Sequence, residues 1–347
     1  MKDLSANDGQ RNPILNVVSN AMAALRADDD QLALAHAHES LHPKAIEELS
    51  VADARVQPTF ADAVDKLLAE QGRTSDPEQL VPGVHTEVLE VDGAAGSLAA
   101  TLYRPDAAGD AALPVILYFH GGGWVIANRK VYDGGARGLA QQAQAIVVSV
   151  DYRQAPEHRF PAAWDDALAA YRWLVAEAAS IGGDPTRLAL AGESAGGNLA
   201  VATAIAVRDL ALPQPCHVLA VYPVAQTSLN TESYIENGIA KPLNRAMVKW
   251  FVDHLIRDEN DLVDPRLALT DAKLVGLPPV TIINARLDPL RSDGAQLEDA
   301  LAAAGVPVER REYPGVAHEF FGAAAVLEKA REAQRYAGQR LKEAFAA

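Results

Sequence analysis

The 347-residue chain is 49% hydrophobic, enough to bury a large core, and carries a formal net charge of −15. That acidity argues against a nucleic-acid partner, because phosphate contacts need a basic face. A single cysteine, Cys216, excludes an intramolecular disulfide framework, and its apolar surroundings predict a buried structural thiol.

Met1 to Asp8 hold no apolar stretch of the kind that opens a secretory signal. No run approaches the roughly 18 consecutive apolar residues of a membrane span. A cytoplasmic location without a stable membrane anchor is therefore expected, and homo-oligomerisation is left open.

Taken in order, the first 80 or so residues read as helical and set apart from the rest of the chain. Ile14, Val18, Met22 and Leu25 recur at helical spacing, as do Phe60, Val64, Leu67 and Leu68. Asp28, Asp29 and Asp30 mark a solvated turn or a helix start. Among His36, His38 and His42, histidines two apart do not share a helix face, and no acidic or cysteine ligand pattern completes a set, so no metal is expected.

After Asp76 and Pro82 the pattern turns to strands. Val84 to Val91 and Leu98 to Tyr103 read as a β pair, with Asp92 and Gly93 near the turn. Strand candidates then follow at Val115 to Phe119, Ile146 to Val150, Leu188 to Ala191, Val218 to Tyr222, Val280 to Asn284 and Val308 to Tyr313. Helical patterns separate them: Gly134 to Ala143, the Trp164/Leu168/Tyr171/Val175 stripe, the segment after Ser194, Gly294 to Ala304, and Ala323 to Phe345. Alternating strands and crossover helices predict an α/β class with a mainly parallel sheet covered on both faces. Residues 225–264 break the rhythm with a Thr/Ser/Asn-rich loop and a helix bearing Met247, Trp250, Phe251 and Leu255. That stripe suits core packing or an insertion covering a site at the strand ends.

The chemistry gathers on Gly192-Glu193-Ser194-Ala195-Gly196, where an apolar strand meets a small-residue helix. This G-x-S-x-G pattern leaves a serine hydroxyl projecting from a tight strand-to-helix turn, a nucleophile elbow. Serine needs a base, and the base needs an orienting acid. Downstream lie His217, opening a strand, His254, in the inserted helix, and His318, in a loop after the last strand; His318 is the predicted base. Asp288 follows the Val280 to Asn284 strand and is the predicted acid, with Asp293, at a helix start, and Asp264, in an Asp-Pro turn, as competitors. His120-Gly121-Gly122-Gly123-Trp124 follows another strand and can bring backbone N–H groups close to a developing alkoxide. The run lacks both P-loop and G-x-G-x-x-G form, which argues against phosphate. His120 reads as a brace for that loop.

Together, His120 to Trp124, Asp151-Tyr152-Arg153-Gln154-Ala155-Pro156-Glu157 with Phe160 to Ala163, Gly192 to Gly197, Asp288-Pro289-Leu290 and His318 resemble the hormone-sensitive-lipase-like esterases, the bacterial lipolytic family IV. The resemblance covers about residues 84–345. It implies an α/β-hydrolase fold with an eight-stranded, mostly parallel sheet flanked by helices. It implies Ser194, Asp288 and His318 as the catalytic residues and Gly122, Gly123 and Ala195 as oxyanion donors. Residues 1–80 and 225–264 become two parts of a helical cap on a catalytic domain spanning 81–347. Asp151 to Glu157 becomes a structural motif beside the glycine loop. Two positions depart from the family: Glu193, where Asp is usual, and Gln154, where Leu is usual.

Trp124, Tyr222, Met247, Trp250, Phe251 and Phe320 are candidates to line the substrate site, with core packing as the alternative reading of each. The expected function is a cofactor-independent serine carboxylesterase acting on small to medium acyl esters. An amidase or peptidase on the same triad, or a non-enzymatic ligand-binding protein of this fold, are the rival readings.

Overall fold

The computed structural model describes residues 26–106 and 111–347; the helix expected over Ile14 to Leu25 lies outside them. Helix α1 spans Asp29–Ser40 and places Asp29 and Asp30 in its first turn, so the acidic triplet is a helix start where carboxylates meet the positive end of the dipole. Short turns follow, a 3₁₀ turn at Ile46–Glu48 and α2 at Val51–Ala54. Helix α3, Phe60–Glu70, starts at a reciprocal capping box between Thr59 and Asp62, and α4 spans Pro77–Leu80. The buried face of α3, with Phe60, Ala63, Leu67 and Leu68, joins the same core cluster as Ile116, Tyr118 and Leu341. The first described segment is therefore packed onto the sheet layer and does not stand apart from it.

Strands β1 (Val84–Gly93) and β2 (Gly96–Pro105) form the expected hairpin, in register from Val84 opposite Pro105 to Gly93 opposite Gly96. From there the alternation runs β3 (Leu113–Phe119), α5 (Asp133–Ala143), β4 (Ile146–Val150), α6 (Ala162–Glu177), β5 (Gly183–Glu193) and α7 (Ala195–Asp209). It continues with β6 (His217–Val221), α8 (Glu232–Glu236), α9 (Arg245–Leu255), β7 (Val280–Leu287), α10 (Arg291–Ala303), β8 (Val308–Ala317) and α11 (Glu328–Ala346). The eight strands make one sheet in the order β1-β2-β4-β3-β5-β6-β7-β8. Only the β1–β2 and β2–β4 pairs are antiparallel.

Alternate residues of β3 feed opposite faces: Val115, Leu117 and Phe119 enter one core cluster, Ile116 and Tyr118 the other. Burial on both faces is why the central strands read as continuous apolar runs.

Several element ends differ from expectation, and two of the differences place predicted site residues directly after a strand. Strands β7 and β8 run on to Leu287 and Ala317, so Asp288 and His318 each follow the last residue of a strand. The last helix begins at Glu328, after a 3₁₀ turn at Phe320–Ala323, because Glu319 adopts a left-handed φ of 65° and breaks the path. Residues 225–264 hold two α-helices, a 3₁₀ turn at Glu259–Val263 and no strand. They meet the first segment through Trp250 Nε1, which donates to the Leu49 carbonyl at 3.3 Å, and through Asn244 Nδ2, 3.0 Å from Glu47 Oε1.

Candidate active site

Ser194 sits between β5 and α7 at φ 58°, ψ −116°. A non-glycine residue held there stores about 1–3 kcal/mol of strain, which its surroundings must over-determine. They do so by close approach: a Cβ on Gly192 would lie 2.2 Å from the Gly196 carbonyl oxygen, and one on Gly196 would lie 2.0 Å from that of Phe119. The Ser194 N–H donates to Val221 O at 2.8 Å, tying the turn to β6.

The structure brings the three predicted partners together. His318 Nε2 lies 3.0 Å from Ser194 Oγ, and His318 Nδ1 lies 2.7 Å from Asp288 Oδ2. The other Asp288 oxygen accepts the Leu290 N–H at 2.8 Å, which fixes the carboxylate plane. Burial alone pulls the His318 pKa down, but the charge and hydrogen bond of Asp288 outweigh it, and the imidazole ends above its ordinary value.

The competitors lie elsewhere. Asp293 is fully buried, but it turns away to accept the N–H groups of Ala225 and Gln226 at 3.0 and 3.3 Å and the Gln226 amide at 2.9 Å. Burial pushes its carboxyl up to about 7. Asp264 pairs with Arg266. His217 bonds Thr281 Oγ1 at 2.9 Å, and burial lowers its pKa to about 4. His254 Nδ1 contacts the Trp250 carbonyl within its own helix. Cys216 is half-buried rather than buried, with its Sγ 3.1 Å from Leu188 O.

The glycine loop faces the same serine. Gly122 and Gly123 have φ of 94° and 59°, and Gly122 O accepts the Val125 and Ile126 N–H groups at 3.1 and 3.0 Å, closing the loop on itself. Ala195 opens α7, so its N–H belongs to the first turn of a helix, where backbone donors lack intrahelical acceptors.

The Asp151 to Glu157 motif braces this loop, and its individual contacts were not legible in the sequence. Tyr152 stacks on His120 with ring centroids 4.4 Å apart and donates to the His120 carbonyl at 2.8 Å. Asp151 pairs with Arg129 and accepts its N–H at 2.7 Å. Burial lowers the His120 pKa, and its Nδ1 contacts the Gly121 carbonyl. Gln154 donates to the Ile126 and Ala127 carbonyls at 2.8 and 3.0 Å. A leucine at that position offers neither bond.

Glu193 also has partners that no local pattern signals. The Tyr118 and Tyr222 hydroxyls donate to its two carboxyl oxygens behind the elbow. A Cβ on Gly135 would lie 2.1 Å from Glu193 Oε1, so that glycine makes room for the carboxyl. Burial pushes Glu193 up to about 7, while the two tyrosine hydrogen bonds pull the other way. The Tyr222 ring lies 4.5 Å from the His318 ring, linking this carboxyl to the back of the imidazole.

A cavity of about 850 Å³ opens over Ser194 and His318, with Gly122, Gly123, Met247 and Phe251 in its walls. A smaller pocket of about 40 Å³ shares Gly123, Ser194 and Phe251 with it and reaches Trp124. Tyr222, Trp250 and Phe320 are walls of neither. Tyr222 lies beneath His318; Phe320 packs between Tyr222 and Tyr313; Trp250 turns toward Leu49 and His254. Their apolar area is spent on core packing, the alternative reading of each.

Among the described residues, no helix is long and apolar enough to cross a membrane. A family model described as "alpha/beta hydrolase fold" matches residues 116–322, more than half of the chain. The chain is 41% identical over 281 residues to carboxylesterase NlhH of Mycobacterium tuberculosis, covering 79% of this chain and 88% of that protein. It is 38% identical over 242 residues to an ethyl acetate hydrolase of Pseudomonas putida, covering 68% and 75%. Among solved structures, an esterase of Pyrobaculum calidifontis superposes with a TM-score of 0.78 at 31% identity, over 89% of this chain and 98% of that one. The chain belongs to the α/β-hydrolase superfamily, among the hormone-sensitive-lipase-like esterases that its motifs resemble, and is a carboxylic ester hydrolase.

Proposed function

We propose that the protein hydrolyses small to medium acyl esters through an acyl-enzyme formed on Ser194. The observation that carries this reading is the unbroken chain from Ser194 Oγ to His318 Nε2 at 3.0 Å and from His318 Nδ1 to Asp288 Oδ2 at 2.7 Å. His318 Nε2 takes the hydroxyl proton as Ser194 Oγ attacks the ester carbonyl carbon. The oxyanion gathers charge toward the N–H groups of Gly122, Gly123 and Ala195. His318 then returns the proton to the departing alkoxide oxygen, and the C–O bond breaks. Water repeats the sequence on the acyl-enzyme, and Asp288 holds the imidazole tautomer and steadies the imidazolium throughout. Residues up to 80 and 225–264 act as a cap that shields the acyl-enzyme from bulk water.

Ser194→Ala is expected to lower kcat by at least about three orders of magnitude on p-nitrophenyl esters, given what removing a triad member costs. Near-unchanged turnover by this variant, with the fold intact by circular dichroism, would overturn the assignment.

A further inference from the structure

The start of α5 touches the glycine loop, the elbow and the loop that carries His318. Tyr132, the residue before its first turn, is buried. Its ring lies 6.1 Å from that of His120, and a Cβ on Gly121 would sit 2.3 Å from its hydroxyl oxygen, so the hydroxyl fills the space that this glycine leaves. Two residues on, a Cβ on Gly134 would sit 2.2 Å from the Gly322 carbonyl oxygen, in the 3₁₀ turn after His318. Gln334 of α11 closes the same seam: its amide donates to the Phe321 and Gly134 carbonyls at 2.7 and 3.1 Å. Gly135 then makes room for Glu193 of the elbow.

One hydrogen bond joins the glycine loop's neighbour to the base loop. The Tyr132 hydroxyl donates to Glu319 Oε1 at 3.1 Å, across 187 positions of sequence. Burial, with the charges of Glu319 and Glu193, holds the phenol pKa well above its ordinary value, so the hydroxyl keeps its proton and remains the donor. Glu319 follows His318 directly and sits at φ 65°, ψ 9°, a left-handed conformation that few side chains adopt. The peptide bond that leaves His318 enters this residue, so whatever holds Glu319 also sets the path of the histidine main chain. Asp288 holds the ring of His318, and the Tyr132 bond holds the backbone beside it.

We propose that Tyr132 and Glu319 are positioning residues for His318: their hydrogen bond locks the base loop against the glycine loop, so that Nε2 and the oxyanion donors meet one substrate carbonyl together. The proposal rests on the Ser194–His318–Asp288 reading above. Neither side chain transfers a proton. Their effect is on placement, where a shift of about 1 Å can cost on the order of 100-fold in rate.

Variants of the full-length enzyme, assayed on p-nitrophenyl acetate at the pH plateau of each, test this. Tyr132→Phe keeps the ring and removes the donor, and kcat is expected to fall about tenfold or more. KM is expected to stay within about twofold, because His318 serves both acylation and deacylation and the two slow together. Glu319→Gly takes the left-handed φ without strain, so a merely structural role would leave kcat at the wild-type value or above. A fall of about tenfold or more is expected instead. Glu319→Gln keeps the acceptor oxygen and is expected to hold kcat within about threefold of wild type. The double variant Tyr132→Phe/Glu319→Gly is expected to be at most about twofold slower than Glu319→Gly, since both changes remove one bond. Should Glu319→Gly not fold, Glu319→Asn, which also tolerates the left-handed region but is one methylene shorter, takes its place in the cycle. Wild-type kcat in Tyr132→Phe or Glu319→Gly, Glu319→Gln as slow as Glu319→Gly, a loss that falls on KM, or losses that multiply in the double variant overturns the proposal alone. Turnover that survives Ser194→Ala overturns the catalytic reading and this proposal with it.

Discussion

The strand ends beneath the substrate and the helices above it are held in place by different means. Below, Ser194, Asp288 and His318 each follow directly on the last residue of a parallel strand, β5, β7 and β8. Continuous ladders, from Ala189 beside His217 to Val280 beside Val308, set their spacing. Above, the two segments proposed as a cap carry no strand ladder: they pack apolar faces on the body and add individual side-chain contacts. Arg55 is the densest of these contacts: it reaches the Val125 and Ala155 carbonyls at 2.9 Å each and both oxygens of Glu157 at 2.7 Å. Chemistry that tolerates about 0.5 Å of error rests on the backbone lattice, while selection rests on parts that can shift. Changes below should therefore act on kcat, and changes above on KM.

The sharpest way to break that comparison lies in two buried carboxylates five residues apart. Asp288→Asn is expected to lower kcat by on the order of 10⁴-fold, through loss of the imidazole tautomer and of imidazolium stabilisation. Asp293→Asn is expected to leave the rate within about an order of magnitude and to act on stability instead. The Asp293 pKa is raised on folding, from 3.8 to about 7. The folded state therefore binds the proton more tightly, and stability from this group is full below about 4 and lost as pH rises toward about 7. Urea unfolding at pH 5 and pH 8 should show a smaller difference in Asp293→Asn than in the wild type. Equal rate losses in the two variants would break the division.

A smaller effect is expected at Glu193. Productive attack needs neutral His318, so kcat/KM falls as pH drops through its raised pKa. The Glu193 carboxylate contributes to that raised value through its charge. In Glu193→Gln the acid limb of the pH–rate profile is expected to move to lower pH, because the lost charge is one of those that raise the imidazole. An acid limb that moves upward would contradict this.

The smallest effect is expected from the cap. Burial slightly opposes, but the Arg55 hydrogen bonds dominate and hold the Glu157 carboxyl down at about 2. The pair is half exposed, so solvent screens it to about 1 kcal/mol or less. Arg55→Ala is expected to raise KM a few-fold with kcat nearly unchanged, measured by initial rates on one ester. A large loss of kcat would show that Arg55 holds the glycine loop as well as the cap.

Much of this molecule is legible in the sequence because its signals are local. Strand and helix periods, the Gly-x-Ser-x-Gly turn and the glycine loop depend on neighbours within a few residues, and the chain order of serine, acid and histidine follows from the fold. Lining residues are less legible. Size, and nearness in sequence to strand ends or to the inserted helix, single out Tyr222, Trp250 and Phe320, yet none of them reaches a cavity wall. Whether an aromatic ring faces a cavity or a core is decided by χ angles and by partners hundreds of residues away, such as Leu49 for Trp250.

The sequence by itself determined the order of elements, the identity of the three strand-end residues and the position of the glycine loop, since backbone preference and hydrophobic period are short-range properties. Tertiary structure alone decided where the long-range hydrogen bonds go. It seated Glu193 between Tyr118 and Tyr222, turned Asp293 away from His318, set Gln154 against the glycine loop, and made Phe251 a wall of both the large cavity and the small pocket. Each of those outcomes depends on which surfaces meet when the sheet closes, and no window of sequence contains both sides.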